Sequence, residues 1–259
     1  MDLRLKDKRA VVTGGSRGIG LAVGRALAQE GADVALVGRN AQAAVEQATL
    51  LAADTGARVI GIGADTGDDA SVAAMAATAI EQLGGVDILV NNAAMTNPGV
   101  IAESALEAEI NVKVRGYLRC ARAFAPGMVE RGWGRIINVG GIAARRTGSV
   151  TGSVRNIAVA ALTKNLADEL GPRGVNVTVV HPGPTSSDTA TKALAANAES
   201  RGLTPEEVER EFSAAISIGR IVTPDEVAAV VAFLASPRSV ALNGDPIIAS
   251  GGDLGPIYY

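Results

Sequence analysis

Short runs of β-branched and aliphatic residues alternate along this chain with longer stretches whose apolar positions recur at helical spacing. The runs are RAVVTG (9–14), DVALVG (33–38), RVIGIGAD (58–65), VDILVNNA (86–93), RIINVGG (135–141), VNVTVVHPG (175–183) and DPIIASGG (245–252). Nearly continuous apolar strands separated by helical segments predict a parallel sheet covered on both faces, because parallel neighbours need crossover connections. The expected fold class is α/β, a Rossmann-like, doubly wound, seven-stranded sheet. A ligand is then expected beyond the carboxyl ends of the strands, where the loops after Gly14, Gly38, Asp65, Ala93, Gly141 and Gly183 converge. No internal repeat, linker or low-complexity segment interrupts the pattern, so residues 1–259 are read as a single domain.

Composition narrows the function classes. The chain has 259 residues, 47% of them hydrophobic, but only 3% aromatic, so the core is to be built from Ala, Val, Ile and Leu. With 20% charged residues and a net charge of −3, no basic stripe for a nucleic-acid backbone is expected. One Cys, Cys120, and one His, His181, exclude an intrachain disulfide and an ordinary zinc site. The amino terminus lacks the apolar stretch of a secretory signal, and the longest apolar run, VAAVVAFLA (227–235), is far below the ~18 residues of a membrane span. A cytoplasmic protein with no membrane partner is expected.

Between the first strand and the first helical pattern lies TGGSRGIG (13–20). Its glycines permit a tight turn and let backbone N–H groups and the helix start approach a pyrophosphate. Gly14, Ser16, Arg17, Gly18, Ile19 and Gly20 are therefore candidate cofactor contacts. The second strand ends VGRN, with Gly38 where an acidic residue would take an adenosine 2′-hydroxyl, and Arg39 and Asn40 behind it. Arg39, with Arg17, suits a 2′-phosphate, which favours NADP(H) over NAD(H).

The succession of TGGSRGIG, VNNAA (90–94), IN before VKVRG, RIINVGG, LADELGPRGVNVTVVHPG and GRIVTPDEVAAVVAFLAS resembles the short-chain dehydrogenase/reductase family over almost the whole chain. The resemblance implies hydride exchange between a nicotinamide dinucleotide and a small carbonyl or alcohol, in a homotetramer or homodimer. It also implies that Asp65 and Thr66 hold the adenine, Asn91 and Ala93 the adenine-side ribose, Pro182 and Gly183 the nicotinamide, and that Ser187 lies near the carboxamide.

The family's chemistry uses a tyrosine and a lysine four apart on one helix, a serine after the fifth strand and an asparagine on the preceding helix. Positions i and i+4 share a helix face, so the lysine holds the nicotinamide ribose and lowers the tyrosine's pKa. Counting back from LADEL, those two positions fall on Gly152 and Asn156, and the serine position on Gly141; Asn111 is the one tetrad position that matches. No lysine in the chain has a tyrosine four residues before it. Loss of a positioned general acid costs about 10²–10⁴ in rate, whereas orientation of the cofactor survives.

Replacements were sought among the remaining groups. His181, ending the sixth strand, is a candidate proton donor, or simply packs there. Arg155 is a candidate for the lost lysine's charge. Arg145 and Arg146 would bind an acidic substrate or face solvent, Tyr258 and Tyr259 would reach a neighbouring subunit's cleft, and Tyr117 reads as core or subunit interface. Two function classes stay open: an oxidoreductase with an atypical proton-transfer site, its substrate under a lid at 186–217, and a pseudoenzyme that binds dinucleotide or serves as an oligomer scaffold. Lyase or isomerase chemistry on the same fold is a third. No metal is expected.

Overall fold

The computed structural model describes residues 1–95 and 103–255. In chain order the elements are β1 (Arg9–Thr13), α1 (Gly18–Gln29), β2 (Asp33–Gly38), α2 (Ala41–Thr55), β3 (Val59–Gly63), α3 (Asp69–Leu83), β4 (Ile88–Asn91), α4 (Glu103–Ile110), α5 (Gly116–Glu130), β5 (Gly134–Val139), α6 (Val150–Leu170), β6 (Val175–Pro182), α7 (Asp188–Arg201), α8 (Pro205–Ala214), α9 (Pro224–Ala235) and β7 (Pro246–Ala249). A π-helical turn, Asn111–Arg115, joins α4 to α5. The strands pair in parallel in the order β3-β2-β1-β4-β5-β6-β7. This is the expected seven-stranded sheet, and its order reverses direction between β1 and β4.

Strand periodicity divides the core. Val12, Leu36, Ile88 and Val90 pack with Val23, Leu27, Val227 and Val231 of α1 and α9. Their neighbours Val11, Ala35 and Leu89 turn to the other face, where they meet Val72, Met75, Phe124 and Met128 of α3 and α5. Small residues let the helices lie close. A Cβ on Gly24 would come within 2.5 Å of Leu36 Cδ2, so α1 packs tightly against β2.

Several helices begin on side-chain caps: Asn40 for α2, Asp68 for α3, Ser149 for α6 and Ser187 for α7, with capping boxes at Thr204 and Thr223 for α8 and α9. At α1 the extended Arg17 supplies no such hydrogen bond, and no acidic residue sits in the first turn. The first amides of α1 are thereby left to the space in front of them. Among the described residues, no helix is long and apolar enough to cross a membrane.

Candidate functional site

The crevice opens where the sheet order reverses. Thr13, at the end of β1, is fully buried, and its hydroxyl accepts from the amides of Asn92 (3.0 Å) and Ala93 (3.1 Å). Asn92 returns the contact, its side-chain amide donating to the carbonyls of Thr13 and Gly14, both at 3.1 Å. The β1 and β4 loops are thus fixed to each other across the switch point. Gly14 turns with φ +65° and Gly18 with φ +53°, conformations that suit glycine. Gly20 is needed for a different reason: a Cβ there would lie 2.2 Å from the Gly14 carbonyl oxygen.

In front of this turn lies a cavity of about 370 Å³. Of the candidate cofactor residues, Gly14, Ser16, Arg17, Gly18, Ile19, Arg39, Thr66, Ala93 and Ser187 line it. Val37, Gly38, Ala64, Asn92, Ala94 and Val112 complete the wall, and the sequence reading had assigned none of these six a contact except the vacancy for an acid at Gly38. Arg17 and Arg39 are both exposed at the rim.

The other candidates stand elsewhere. Asn91 is fully buried, and its amide donates to Asn138 Oδ1 at 2.9 Å and to the Tyr117 carbonyl at 3.3 Å. Strand alternation turns its side chain toward α5, where it stabilises the sheet, and Asn92 faces the glycine turn. Asn40 is occupied as the cap of α2, accepting from the Ala43 amide at 3.1 Å. The Asp65 carboxylate folds back onto the Gly67 amide at 2.8 Å. Pro182 and Gly183 lie at the end of β6 outside the cavity wall, where a Cβ on Gly183 would meet Ser250 at 2.8 Å.

The presumptive reaction centre lies at the carboxyl ends of β5 and β6. Gly141 and Asn156 face each other: a Cβ on Gly141 would approach Asn156 Nδ2 to 3.0 Å. Asn156 is buried, and its Oδ1 has no hydrogen-bond partner among the described residues. Gly152 is in the first turn of α6, its amide held by Ser149 Oγ at 3.0 Å. The Asn111 side chain donates to the Gly67 carbonyl at 2.9 Å, tying the π-helical turn to the loop after β3.

His181 is 1% exposed and accepts through Nδ1 from the Gly141 amide at 3.0 Å. Burial, together with the charges of Lys113 and Arg145, pushes its pKa down to about 4. The neutral imidazole accepts at Nδ1 and carries its proton on Nε2. Arg155 pairs with the carboxylate of Glu109 and donates to the Met95 carbonyl at 2.9 Å, and its charge is felt at Lys113. Arg146 pairs with Asp253. Tyr117 is core, its hydroxyl donating to the Val139 carbonyl at 2.9 Å. Tyr258 and Tyr259 lie outside the described residues.

One group here escaped the sequence reading. Lys113, in the π-helical turn, is 4% exposed and donates from Nζ to the Gly140 carbonyl at 2.7 Å. Burial, then the nearby Arg155 charge, pushes its pKa down to about 7 against the upward pull of Glu109. A lone lysine between valines in NVKVR was its available signal.

The segment 186–217 forms α7 and α8, and beside it a second cavity of about 550 Å³ is lined by Pro184, Leu194, Pro205, Phe212 and Ile221 among others. Among the described residues no group of His, Cys, Asp and Glu could hold a metal.

Comparison with known proteins agrees with this layout. The family model described as enoyl-(acyl carrier protein) reductase matches residues 14–253. The short-chain reductase protein NovJ of Streptomyces niveus is 38% identical over 252 residues, spanning 95% of this chain and 94% of that one. L-sorbose reductase from Gluconobacter frateurii, solved with NADPH and L-sorbose, superposes with a TM-score of 0.94 at 30% identity, covering 99% of this chain and 100% of its own. A 7α-hydroxysteroid dehydrogenase solved with NADH superposes with a TM-score of 0.89 at 28% identity, covering 97% and 96%. With the parallel sheet, the glycine turn at its switch point and a match over nearly the full length, the chain belongs to the short-chain dehydrogenase/reductase family.

Proposed function

We propose that this protein is an NADP(H)-dependent oxidoreductase acting on a small carbonyl or alcohol, with proton transfer that does not run through a tyrosine–lysine pair. The observation that carries the cofactor reading is the rim of the cavity at Gly38 and Arg39. Solved relatives carry either NADPH or NADH, so local residues decide the preference. Here no carboxylate ends β2, the Gly38 position is hemmed in by Ser16 (3.1 Å from a built Cβ to Oγ), and two exposed arginines flank the opening. Guanidinium groups in that place suit a phosphate monoester.

The glycine turn suits the pyrophosphate. The uncapped first turn of α1 presents amides and the positive end of its dipole to a pyrophosphate, and Gly14 and Gly18 let the backbone come close. A side chain at Gly18 would meet only Ser187 Cβ, at 3.8 Å, so Ser187 faces the turn across the opening. When bound, the cofactor supplies or accepts hydride, and the chain's own task is to orient it, exclude water and manage the proton. Gly141, Gly152 and Asn156 supply no hydroxyl or charge for that last task.

Titration of the protein with NADPH and NADH, followed by nicotinamide fluorescence and thermal shift, tests the reading. Micromolar binding selective for NADPH supports it; failure to bind either nucleotide overturns it and leaves the scaffold reading. We also propose a homo-oligomer built on α5 and α6. Val154 and Ile157 are exposed on α6, and a groove of about 500 Å³ between the helices is lined by Ala121, Ala125, Val129 and Leu166 among others. Sedimentation showing only monomer at micromolar concentration overturns that assembly. Location in the cytoplasm stands as a proposal.

A further inference from the structure

Resting on the oxidoreductase reading, we propose that Lys113 is a catalytic residue that exchanges the reaction's proton with the substrate oxygen, supplying from the π-helical turn before α5 the ammonium that Asn156 does not provide.

Four observations converge on it. The ammonium reaches the carbonyl of Gly140, the residue before the position where the family resemblance expects a serine. That corner is bare backbone: a Cβ on Gly140 would strike His181 Nδ1 at 2.4 Å, and one on Gly141 would crowd Asn156. Side chains at these two positions are therefore excluded. Facing the corner, Asn156 holds a buried carbonyl oxygen, unpartnered among the described residues, at the position where the resemblance expects the lysine. An amide thus stands on α6, and an ammonium reaches the same corner from the turn that leads into α5. Val112, next in sequence, already lines the dinucleotide cavity.

The neighbouring groups leave Lys113 as the one suited to the task. Tyr117 is held by Val139, and burial raises its pKa far above neutrality. Burial pushes the Cys120 thiol up to about 12, and His181 is neutral. Glu109, the carboxylate that acts on Lys113, is engaged by Arg155. An ammonium so placed gives up a proton near neutral pH, the range in which a general acid works best. For carbonyl reduction, hydride goes to the carbonyl carbon and the Lys113 N–H proton to the oxygen. The amine left behind regains its proton from solvent, and the alcohol's oxidation runs the same steps in reverse.

The test uses the full chain with [13Cε]-lysine. It has five lysines, so the spectrum is simple, and Lys113→Arg removes the one signal in question. The expected results are a Lys113 resonance titrating with a midpoint near 7, moved when NADP+ binds, with the other four unaffected. With NADPH and 9,10-phenanthrenequinone as probe, Lys113→Met should lower kcat by about 10² or more while the NADPH Kd stays within about twofold. Lys113→Arg keeps the charge but releases no proton, so the neutral-pH dependence of kcat should vanish with it. A Lys113 midpoint near the ordinary ~10.4, or quinone reduction undiminished in Lys113→Met, overturns the assignment. So does a wild-type protein that binds NADPH but does not reduce the quinone from pH 5 to 9. Failure to bind NADPH at all overturns the cofactor reading and this one together; binding with an ordinary Lys113 overturns this one alone. Should Lys113→Met fail to fold, the titration and Lys113→Arg still decide.

Discussion

The amide of Gly141 donates to Nδ1 of His181 at 3.0 Å, so the chain's only histidine holds the β5 loop. The bond joins the carboxyl ends of two adjacent strands beside the presumptive reaction centre. It also makes the imidazole a stability element with a definite pH signature.

Because the folded pKa of His181 is depressed to about 4 from 6.5, the unfolded chain takes up the proton first. Stability is therefore complete above pH 6.5 and is lost as the pH falls from there toward 4, by on the order of 3 kcal/mol. Urea denaturation across this range should show the decline, and His181→Asn should flatten it. An unchanged slope in the variant would assign the acid sensitivity to other groups.

Arg39→Ala should weaken NADPH binding roughly 10- to 100-fold, the worth of a charge-assisted hydrogen bond to phosphate, and leave NADH binding within about twofold. Fluorescence titration of both nucleotides measures it. Equal losses for the two would mean that Arg39 does not meet the 2′-phosphate.

Gly20→Ala places a methyl group 2.2 Å from the Gly14 carbonyl oxygen, a contact that backbone must move to relieve. A destabilisation of about 1–3 kcal/mol is expected, together with loss of dinucleotide affinity, because the turn and the first amides of α1 shift as one. Gly56→Ala makes the control, since a Cβ there meets nothing within 4 Å although its φ of +71° carries a modest cost.

Arg155→Met removes the guanidinium that pairs with the buried Glu109 carboxylate. Breaking a buried ion pair from one side is strongly destabilising, up to about 3–5 kcal/mol, and the double variant Glu109→Gln/Arg155→Met should recover much of it. The single variant should also raise the pKa of Lys113, since Arg155 holds it down and Glu109 pulls it up. Chemical denaturation gives the first result and lysine NMR the second; additive single-variant costs would refute the coupling.

Much of this protein was readable from local pattern. Apolar runs at strand spacing, separated by helical periodicity, specify a parallel sheet wherever the chain folds, and TGGSRGIG followed by VGRN marks a dinucleotide crevice because the turn and the charges are encoded by consecutive residues. That Gly141, Gly152 and Asn156 carry no hydroxyl or charge was equally visible, since it is written in the residues themselves. Orientation across elements was not. Asn91 and Asn92 are adjacent, yet strand alternation sends one under α5 and the other to the glycine turn, and only the paired strands fix which is which. Arg155 meets Glu109 and Lys113 meets Gly140 across separations of 46 and 27 residues, through side chains that cross from one helix or turn to another. A lysine among valines carries no mark of its destination: its burial, its bond to the Gly140 carbonyl and its lowered pKa arise from packing, and packing is a property of the assembled layers.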